Sequence, residues 1–266
     1  MRFCVLGSGS KGNSTFIEAG NTRILIDAGF SGIEVERRLA AVDIDIATLS
    51  AILISHEHGD HIRGVGVLSR RFKLPVYASR AAVEASSGDS LSGVAGLCEI
   101  TAGTAFEIGD LVVHPFSVSH DTVDPLGFVA TSGDCSVGYC TDTGIASRLM
   151  QHRLGGCSGL VLECNHDPEM LRNGGYPPQL QQRIRGKEGH LTNLEAASFL
   201  AELIHEKLEH VVLAHLSDTN NTPELAWETV ERHLAECGLP AEGRRHFGLS
   251  IASQEGPGEM ICLSGG

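Results

Sequence analysis

Residues 51–61 read AILISHEHGDH, and this stretch decides the fold and the chemistry that we predict for the chain. Its first four residues are apolar and are followed by polar ones, which is typical of a short buried strand. His56, His58, Asp60 and His61 then fall within six residues, directly after that strand. Imidazole and carboxylate groups bind zinc, manganese and iron. A loop that carries four such groups can wrap around two ions, so the stretch predicts a dinuclear metal site.

Further candidate ligands stand at the ends of other predicted strands. His120, Asp142 and His215 each follow an apolar run, and Asp27 follows an earlier one. An Asp or His after a strand is, taken alone, more typical of a turn or a helix cap. Their assignment as metal ligands is stronger because they occur together with the stretch at residues 51–61. We therefore expect the strand ends to meet at one site.

The rest of the chain alternates strand-like and helix-like segments. Apolar runs between Gly, Asn and Asp predict strands at Arg2–Leu6, Ser14–Glu18, Thr22–Ile26, Ser50–Ile54, Leu111–Val118, Gly127–Thr131, Ser136–Cys140, Leu160–Glu163 and Val211–Ala214. Helical spacing of apolar residues predicts helices at Ile33–Ala41, Arg63–Phe72, Asn193–Lys207 and Pro223–Glu236. Two strand-rich halves with helices outside predict an α/β fold, a four-layer α/β/β/α sandwich.

Composition limits the classes of protein to which the chain can belong. The 266 residues are 42% hydrophobic and show no linker-like change in composition, which favours one domain over residues 1–266. No apolar run reaches the length of a membrane span, and the first residues lack the features of a signal peptide. The eight cysteines contain no C-x-x-C pair, which is consistent with reduced thiols. We expect a cytoplasmic protein without a membrane partner.

The motifs and their order resemble the metallo-β-lactamase superfamily over nearly the whole chain. The resemblance implies that one metal is held by His56, His58 and His120, and the other by Asp60, His61 and His215. It implies that Asp142 bridges the two ions and that Asp27 supports the histidines from behind, as metal-bound histidines require. Asp60 is expected to act in catalysis as well as in metal binding.

The bridging residue argues against antibiotic cleavage. Relatives that cleave antibiotics commonly have Cys at the bridging position, and many lack the last His of the H-x-H-x-D-H pattern. This chain has Asp142 and His61 at those positions. Two ions that share a hydroxide are instead suited to hydrolysis of other bonds, phosphodiesters among them.

A second pair of residues resembles the pattern of ribonuclease Z. Glu163 ends a predicted strand, and His190 lies in the segment GHLT at residues 189–192. The resemblance implies that His190 protonates the leaving oxygen and that Glu163 orients it, since histidine titrates near the working pH. The structural alternative is that Glu163 caps a strand and His190 caps the following helix.

A closer resemblance is to the YycJ/WalJ-type group, proposed to be DNA exonucleases. It is carried by GSGSKGNS at residues 7–14, ECNHD at 163–167, GHLTN at 189–193 and HLSDTNN at 215–221. The glycine- and serine-rich loop is expected to bring Asn13 near the metals, with a tight turn as the alternative. For His166, phosphate contact and support of the metal site both stay open. Arg185 and Lys187, just before His190, are candidate phosphate contacts.

These observations favour a metal-dependent phosphodiesterase that acts on nucleic acid. DNA is favoured over transfer RNA because the sequence contains no long basic arm. The net charge of −13 opposes a generally basic surface and favours the main alternative, a hydrolase of a cyclic phosphodiester or a thioester. An iron-dependent oxidoreductase and a non-catalytic binding protein are further alternatives, against which the full set of seven ligands argues. Zinc, manganese or iron as the metal, the mode of cleavage and a homodimer as the oligomeric state stay open.

Overall fold

Two mixed seven-stranded sheets lie at the centre of the molecule, with helices on the outer face of each. A computed structural model describes residues 1–86, 91–240 and 246–265. The predicted four-layer α/β/β/α sandwich is confirmed. No helix in these described parts has both the length and the apolar character needed to cross a bilayer.

The first sheet brings Asp27 beside the H-x-H-x-D-H stretch. Its strands are β1 (Arg2–Gly7), β2 (Ser14–Ala19), β3 (Thr22–Ile26), β4 (Ala51–Leu53), β5 (Val76–Ala78), β6 (Leu97–Glu99) and β14 (Ile261–Cys262), in the order β14-β1-β2-β3-β4-β5-β6. Pairing is antiparallel from β14 to β3 and parallel from β3 to β6. Because β3 and β4 are parallel, the residues that follow them lie at the same edge of the sheet.

The second sheet brings three other site residues to a common edge. Its strands are β7 (Phe106–Ile108), β8 (Leu111–Ser117), β9 (Leu126–Ser132), β10 (Cys135–Cys140), β11 (Gly159–Glu163), β12 (His210–Ala214) and β13 (Gly248–Ile251), in the order β13-β12-β11-β10-β9-β8-β7. Pairing is antiparallel from β7 to β10 and parallel from β10 to β13. The carboxyl ends of β10, β11 and β12 therefore carry Asp142, Glu163 and His215 to one place.

Helices and apolar clusters complete the layers. The helices are α1 (Gly32–Ala40), α2 (Gly59–Ile62), α3 (Val65–Phe72), α4 (Arg80–Ala85), α5 (Arg148–Leu154), α6 (Pro168–Asn173), α7 (Pro178–Ile184), α8 (Asn193–Leu203) and α9 (Pro223–Glu236). Three buried clusters fill the spaces between the layers. In β3, Ile24 and Ile26 pack between the sheets while Leu25 packs under the helices, as the alternation of a strand requires.

The structure corrects some predicted elements. The helix predicted over Arg63–Phe72 is α3, which begins two residues later, at Val65. Gly64, whose N–H donates to the Ala28 carbonyl at 2.8 Å, separates it from the short helix α2. The helix that begins at Asn193 ends at Leu203 rather than at Lys207. Strands β5, β6, β7, β13 and β14 were not predicted. Each is four residues long or shorter, too short for a periodic pattern to be visible.

Candidate metal centre

A buried carboxylate, Asp27, fixes the loop that follows β4. Its Oδ1 accepts the Ser55 backbone N–H and its Oδ2 accepts the Ser55 hydroxyl, both at 2.8 Å. The same Oδ2 lies 2.8 Å from His61 Nδ1 and accepts the Tyr139 hydroxyl at 3.0 Å. The Asp27 side chain has no exposed surface, so water does not compete for these contacts. Asp27 thus orients the His61 ring from behind.

Three site residues adopt a left-handed backbone conformation at strand ends. The φ angles are 61° at Asp27, 56° at Asp142 and 56° at His215. A positive φ is uncommon for residues other than glycine and costs energy unless the surroundings impose it. The fold therefore holds these strand ends in a fixed, strained geometry, as is common at functional sites.

Two groups of three side chains are each compact enough to hold one cation. Within a group, the three ligand atoms lie within 4.8 Å of one another. One group consists of His56, His58 and His120, and the other of Asp60, His61 and His215. The structure thus brings together the same two sets that the sequence predicts as ligands.

Asp142 lies between the two groups. Its Oδ2 is 3.4 Å from His61 Nε2 in one group. Its Oδ1 is 3.7 Å from His120 Nε2 in the other group and 3.4 Å from His215 Nε2. A carboxylate in this position can contact an ion in either group, and its charge would offset the repulsion between two ions.

The ring nitrogens that face away from the centre have partners. The Nδ1 of His56 is 3.0 Å from the Ser55 hydroxyl, and the Nδ1 of His120 is 3.3 Å from the Gly189 carbonyl. Contacts of this kind fix the tautomer and the orientation of metal-binding histidines. The opposite nitrogen, Nε2, is thereby left for an ion.

Several atoms that face the centre have no hydrogen-bond partner among the residues that the structure describes. His56 Nε2, His215 Nε2 and Asp142 Oδ2 are buried and make no hydrogen bond. Buried polar atoms in proteins are nearly always hydrogen-bonded. Imidazole nitrogens and a carboxylate oxygen are a donor set that suits zinc, manganese or iron, so the residues fit a bound metal.

Charge at the centre also favours a cation. Burial lowers the pKa of His61, but nearby carboxylates, Asp142 foremost, raise it to about 10. Burial likewise opposes the charged form of His215, but Asp142 and Glu163 raise its pKa to about 9. Burial and the neighbouring His61 hold the pKa of His56 well below its usual range. The carboxylates therefore attract positive charge, while burial keeps the His56 ring in the neutral form that binds metals.

Asn13 contacts the ligand atoms of the second group directly. Its Nδ2 is 3.0 Å from His61 Nε2 and 3.4 Å from Asp60 Oδ2, and its backbone N–H donates to the Asp60 carbonyl at 2.8 Å. The side chain is 2% exposed and does not line the cavity over the centre. Gly29 permits this packing, since a Cβ there would overlap the Asp60 carbonyl. The loop thus brings Asn13 into contact with Asp60 and His61, and its predicted contact with substrate stays a prediction.

Glu163 connects the strand ends of the second sheet. Its two oxygens accept five N–H donors at 2.8 to 3.2 Å: the Nδ1 atoms of His190 and His215 and the backbone N–H groups of Asp142, Thr143 and Leu191. Burial raises the pKa of this carboxyl, but the two histidines lower it to about 2. Glu163 is therefore ionised, and it orients the ligand His215 as well as His190.

His190 faces a cavity of about 290 Å³ that opens over both ligand groups. Its ring is 5.1 Å from the His120 ring and 5.2 Å from the His215 ring, and 19% of its side chain is exposed. His190 is also near enough to Asp142, Glu163 and His215 to share an ion with them. Both oxygens of Glu163 already accept N–H donors, so Glu163 is not free to bind an ion. The set of Asp142, Glu163, His190 and His215 therefore lacks one of its four ligands.

The structure does not bring three predicted substrate contacts to the cavity. His166 is 0% exposed and is absent from the cavity lining, and neither of its ring nitrogens has a hydrogen-bond partner among the described residues, so its role stays open. Arg185 and Lys187 are exposed, but neither lines the cavity. Arg185 is the C-cap of α7 and Lys187 follows the helix, which their spacing in the sequence did not reveal.

The cavity lining includes residues that sequence reasoning missed. Arg183, in the same basic stretch as the predicted contacts, lines the cavity and bonds through Nε to Asp121. Tyr176 and Leu180 also line it. The basic stretch was the available signal, but the choice among its residues depends on which face of α7 meets the cavity.

Comparisons with known proteins support the assignment of the fold. The Beta-lactamase superfamily domain matches residues 22–216. PqqB from Methylobacterium extorquens, whose crystal structure is described as Zn²⁺-bound, superimposes with a TM-score of 0.70 over 99% of this chain and 100% of that one. The two sequences are 17% identical, so this similarity concerns the fold alone.

Two curated relatives match nearly the full length. Exodeoxyribonuclease YycJ from Bacillus anthracis is 38% identical over 242 residues, 90% of this chain and 91% of the relative. Exodeoxyribonuclease WalJ from Streptococcus pneumoniae serotype 2 is 36% identical over 241 residues, 90% of each chain. The chain therefore belongs to the metallo-β-lactamase-fold superfamily, and within it to the family of the YycJ and WalJ proteins.

Proposed function

We propose that this protein is a two-metal phosphodiesterase that removes nucleotides from the ends of DNA. The observation that carries the proposal is the position of His190. Its ring faces the cavity beside both ligand groups, and its Nδ1 lies 2.8 Å from the buried Glu163. Hydrolysis of DNA expels a sugar alkoxide, a poor leaving group that departs more readily when a positioned acid protonates it.

The relatives support the choice of substrate. Two proteins that match 90% of the chain are named exodeoxyribonucleases. The two ligand groups alone would be equally consistent with a small diester or a thioester as substrate. The pairing of His190 with Glu163 favours a phosphate ester with a poor leaving group over those alternatives.

Two divalent ions, zinc or manganese, are the cofactors that we infer, with iron also compatible with the ligands. One would be held by His56, His58 and His120, the other by Asp60, His61 and His215, with Asp142 in contact with both. When bound, such ions lower the pKa of a shared water and neutralise charge on the attacked phosphate.

The protein groups have separate roles in this reaction. Asp60 retains 24% exposure of its side chain, so it can accept a hydrogen bond from water as well as bind an ion. His190 donates from Nε2 to the leaving oxygen, since its Nδ1 is engaged by Glu163. Glu163 stabilises the charged imidazole before the transfer and fixes its orientation.

A digest of end-labelled oligonucleotides tests the proposal. Single- and double-stranded DNA and RNA would be incubated with the protein and manganese or zinc, and product lengths followed with time. We expect DNA to shorten stepwise from one end and to release mononucleotides, and the Asp142→Ala variant to release none. Internal fragments, or turnover of cyclic phosphodiesters or thioesters without cleavage of DNA, would contradict the proposal. Faster digestion of RNA would change the substrate assignment.

A further inference from the structure

Helix α7 forms one wall of the cavity and has little role in the protein core. None of its residues is buried. Its two aliphatic side chains, Leu180 and Ile184, are four residues apart and therefore share one face of the helix. Both line the cavity, together with Tyr176 just before the helix. An apolar surface beside a charged metal centre is not explained by packing of the protein, which suggests that it contacts a substrate.

Arg183 gives the same wall a positive charge. It is the one Lys or Arg among the described residues that line the cavity. Asp121 accepts its Nε–H, and no other described residue bonds to its terminal amino groups. These groups present N–H donors in a plane, the arrangement that binds two phosphate oxygens at once. In a chain of net charge −13, a guanidinium at the cavity whose terminal amino groups have no partner among the described residues can bind a phosphate.

We propose that Tyr176, Leu180, Arg183 and Ile184, the α7 wall, form the subsite for a single unpaired nucleotide. Arg183 binds the phosphate, and the ring of Tyr176 with the two aliphatic side chains contacts the face of the base. Base stacking on aromatic side chains tolerates every base, because each base has an aromatic face. The proposal rests on the proposed function and specifies which part of the nucleic acid enters the cavity.

The size of the cavity agrees with one nucleotide. Its volume of about 290 Å³ lies near the lower limit for small-molecule sites, about 300 to 1,000 Å³. A base within a duplex has its faces covered by its neighbours, so contact with the α7 wall requires an unpaired end. Frayed or single-stranded ends are therefore the substrates.

Two chromogenic esters, one with a base and one without, test the subsite. Thymidine 5′- or 3′-(p-nitrophenyl phosphate) contains a base, whereas methyl p-nitrophenyl phosphate has the same leaving group without one. The Tyr176→Ala variant should raise KM for the thymidine ester by about 5- to 150-fold, the usual effect of a stacked base, and should affect the methyl ester far less. Tyr176→Phe retains the ring and should restore a KM near that of the unaltered protein.

Substitution of Arg183 should change KM for the two esters in a different way from substitution of Tyr176. Arg183→Ala should raise KM for both esters by about 10- to 150-fold, since both contain the phosphate. Arg172→Ala is the matched control, because Arg172 is similarly exposed, pairs with Glu169 and does not line the cavity. It should change either KM by no more than about twofold. Because α7 buries no residue, the variants are expected to keep the fold, which thermal melting would verify.

The outcomes separate this inference from the proposed function. If the unaltered protein does not digest labelled DNA, the proposed function fails, whatever the esters show. If the protein digests DNA but Tyr176→Ala raises KM for both esters equally, or for neither, the α7 wall does not bind a base. Faster digestion of a blunt duplex than of a single strand would also overturn the inference.

Discussion

The two halves of the molecule contribute to the metal centre in different ways. The first sheet supplies His56, His58, Asp60 and His61 from one continuous loop after β4. The second sheet supplies its residues singly, from the loops after β8, β10 and β12. Neighbouring positions in a loop are constrained by the chain itself. Residues on separate strands depend on contacts between those strands.

Each half contains one buried carboxylate that organises it. In the first half Asp27 holds the loop through Ser55 and His61. In the second half Glu163 joins the ends of β10 and β12 to the segment that carries His190. In the first half the chain itself keeps the ligands next to one another, whereas in the second half their positions depend on Glu163. Loss of Glu163 should therefore weaken metal binding and activity more than loss of Asp27. Four substitutions test whether the two carboxylates differ in this way.

Asp142→Ala should have the largest effect, because Asp142 serves both halves. We expect loss of metal and of nuclease activity together, since no other carboxylate stands between the two groups in the described structure. Elemental analysis and the labelled-DNA digest measure the two losses. Asp142→Asn tolerates the left-handed backbone better and separates the effect of charge from that of strain. Retention of both ions in either variant would remove the bridging role.

Glu163→Gln should lower metal binding and activity nearly as much as Asp142→Ala. A glutamine side chain has one acceptor oxygen, and its amide group would face buried N–H donors, each costing about 1 to 3 kcal/mol when unpaired. We expect weaker binding of the ion near His215, a lower melting temperature and slower DNA cleavage than in a His190 variant. Glu169→Gln is a suitable control, because Glu169 is an exposed carboxylate on α6. An effect of Glu163→Gln confined to proton transfer would reduce its role to orienting His190.

His190→Ala should slow DNA cleavage by about 10²- to 10⁴-fold, the usual contribution of a positioned general acid. Both ions should stay bound, because His190 belongs to neither ligand group. Bis(p-nitrophenyl) phosphate serves as an internal control, since p-nitrophenolate departs readily without a proton. The loss on this ester should be far smaller than on DNA. Equal losses on both substrates, or release of an ion, would make His190 a ligand or a structural residue.

Asp27→Asn should have the smallest effect of the four. It weakens the contact that orients His61, and changes of this kind lower metal affinity by about 10- to 100-fold. Titration of the metal-free protein with manganese measures that affinity. Asp43→Asn is matched in backbone conformation, with a φ of 60°, but Asp43 is exposed. If Asp27→Asn weakened metal binding more than Glu163→Gln, the proposed contrast between the halves would be wrong.

The same contrast explains what the sequence could predict. The loop after β4 is visible as a motif because its ligands are consecutive, and the long strands around it show regular alternation. The ligands at strand ends were identified by their order and by resemblance to a family, since an isolated Asp142 or His215 looks like a cap. The short strands and the break at Gly64 have no periodic signal. They depend on pairing and packing with distant segments.

Substrate contacts were the least predictable part of the site. Arg183, Arg185 and Lys187 are basic residues of one short stretch, but Arg183 alone lies within α7 and lines the cavity. His166 lies within a motif of the family, yet the fold buries it completely. Which side chain reaches a cavity depends on the rotation of a helix and the path of a loop, and residue type does not encode either one locally.

Activity as a function of bound metal tests the central claim most directly. Metal would be removed with a chelator, manganese returned in measured equivalents per chain, and the release of nucleotides from end-labelled single-stranded DNA recorded at each step. The two ligand groups joined by Asp142 predict that activity rises to its maximum as the second equivalent binds. Full activity at one equivalent, or in the metal-free protein, would contradict a two-metal mechanism.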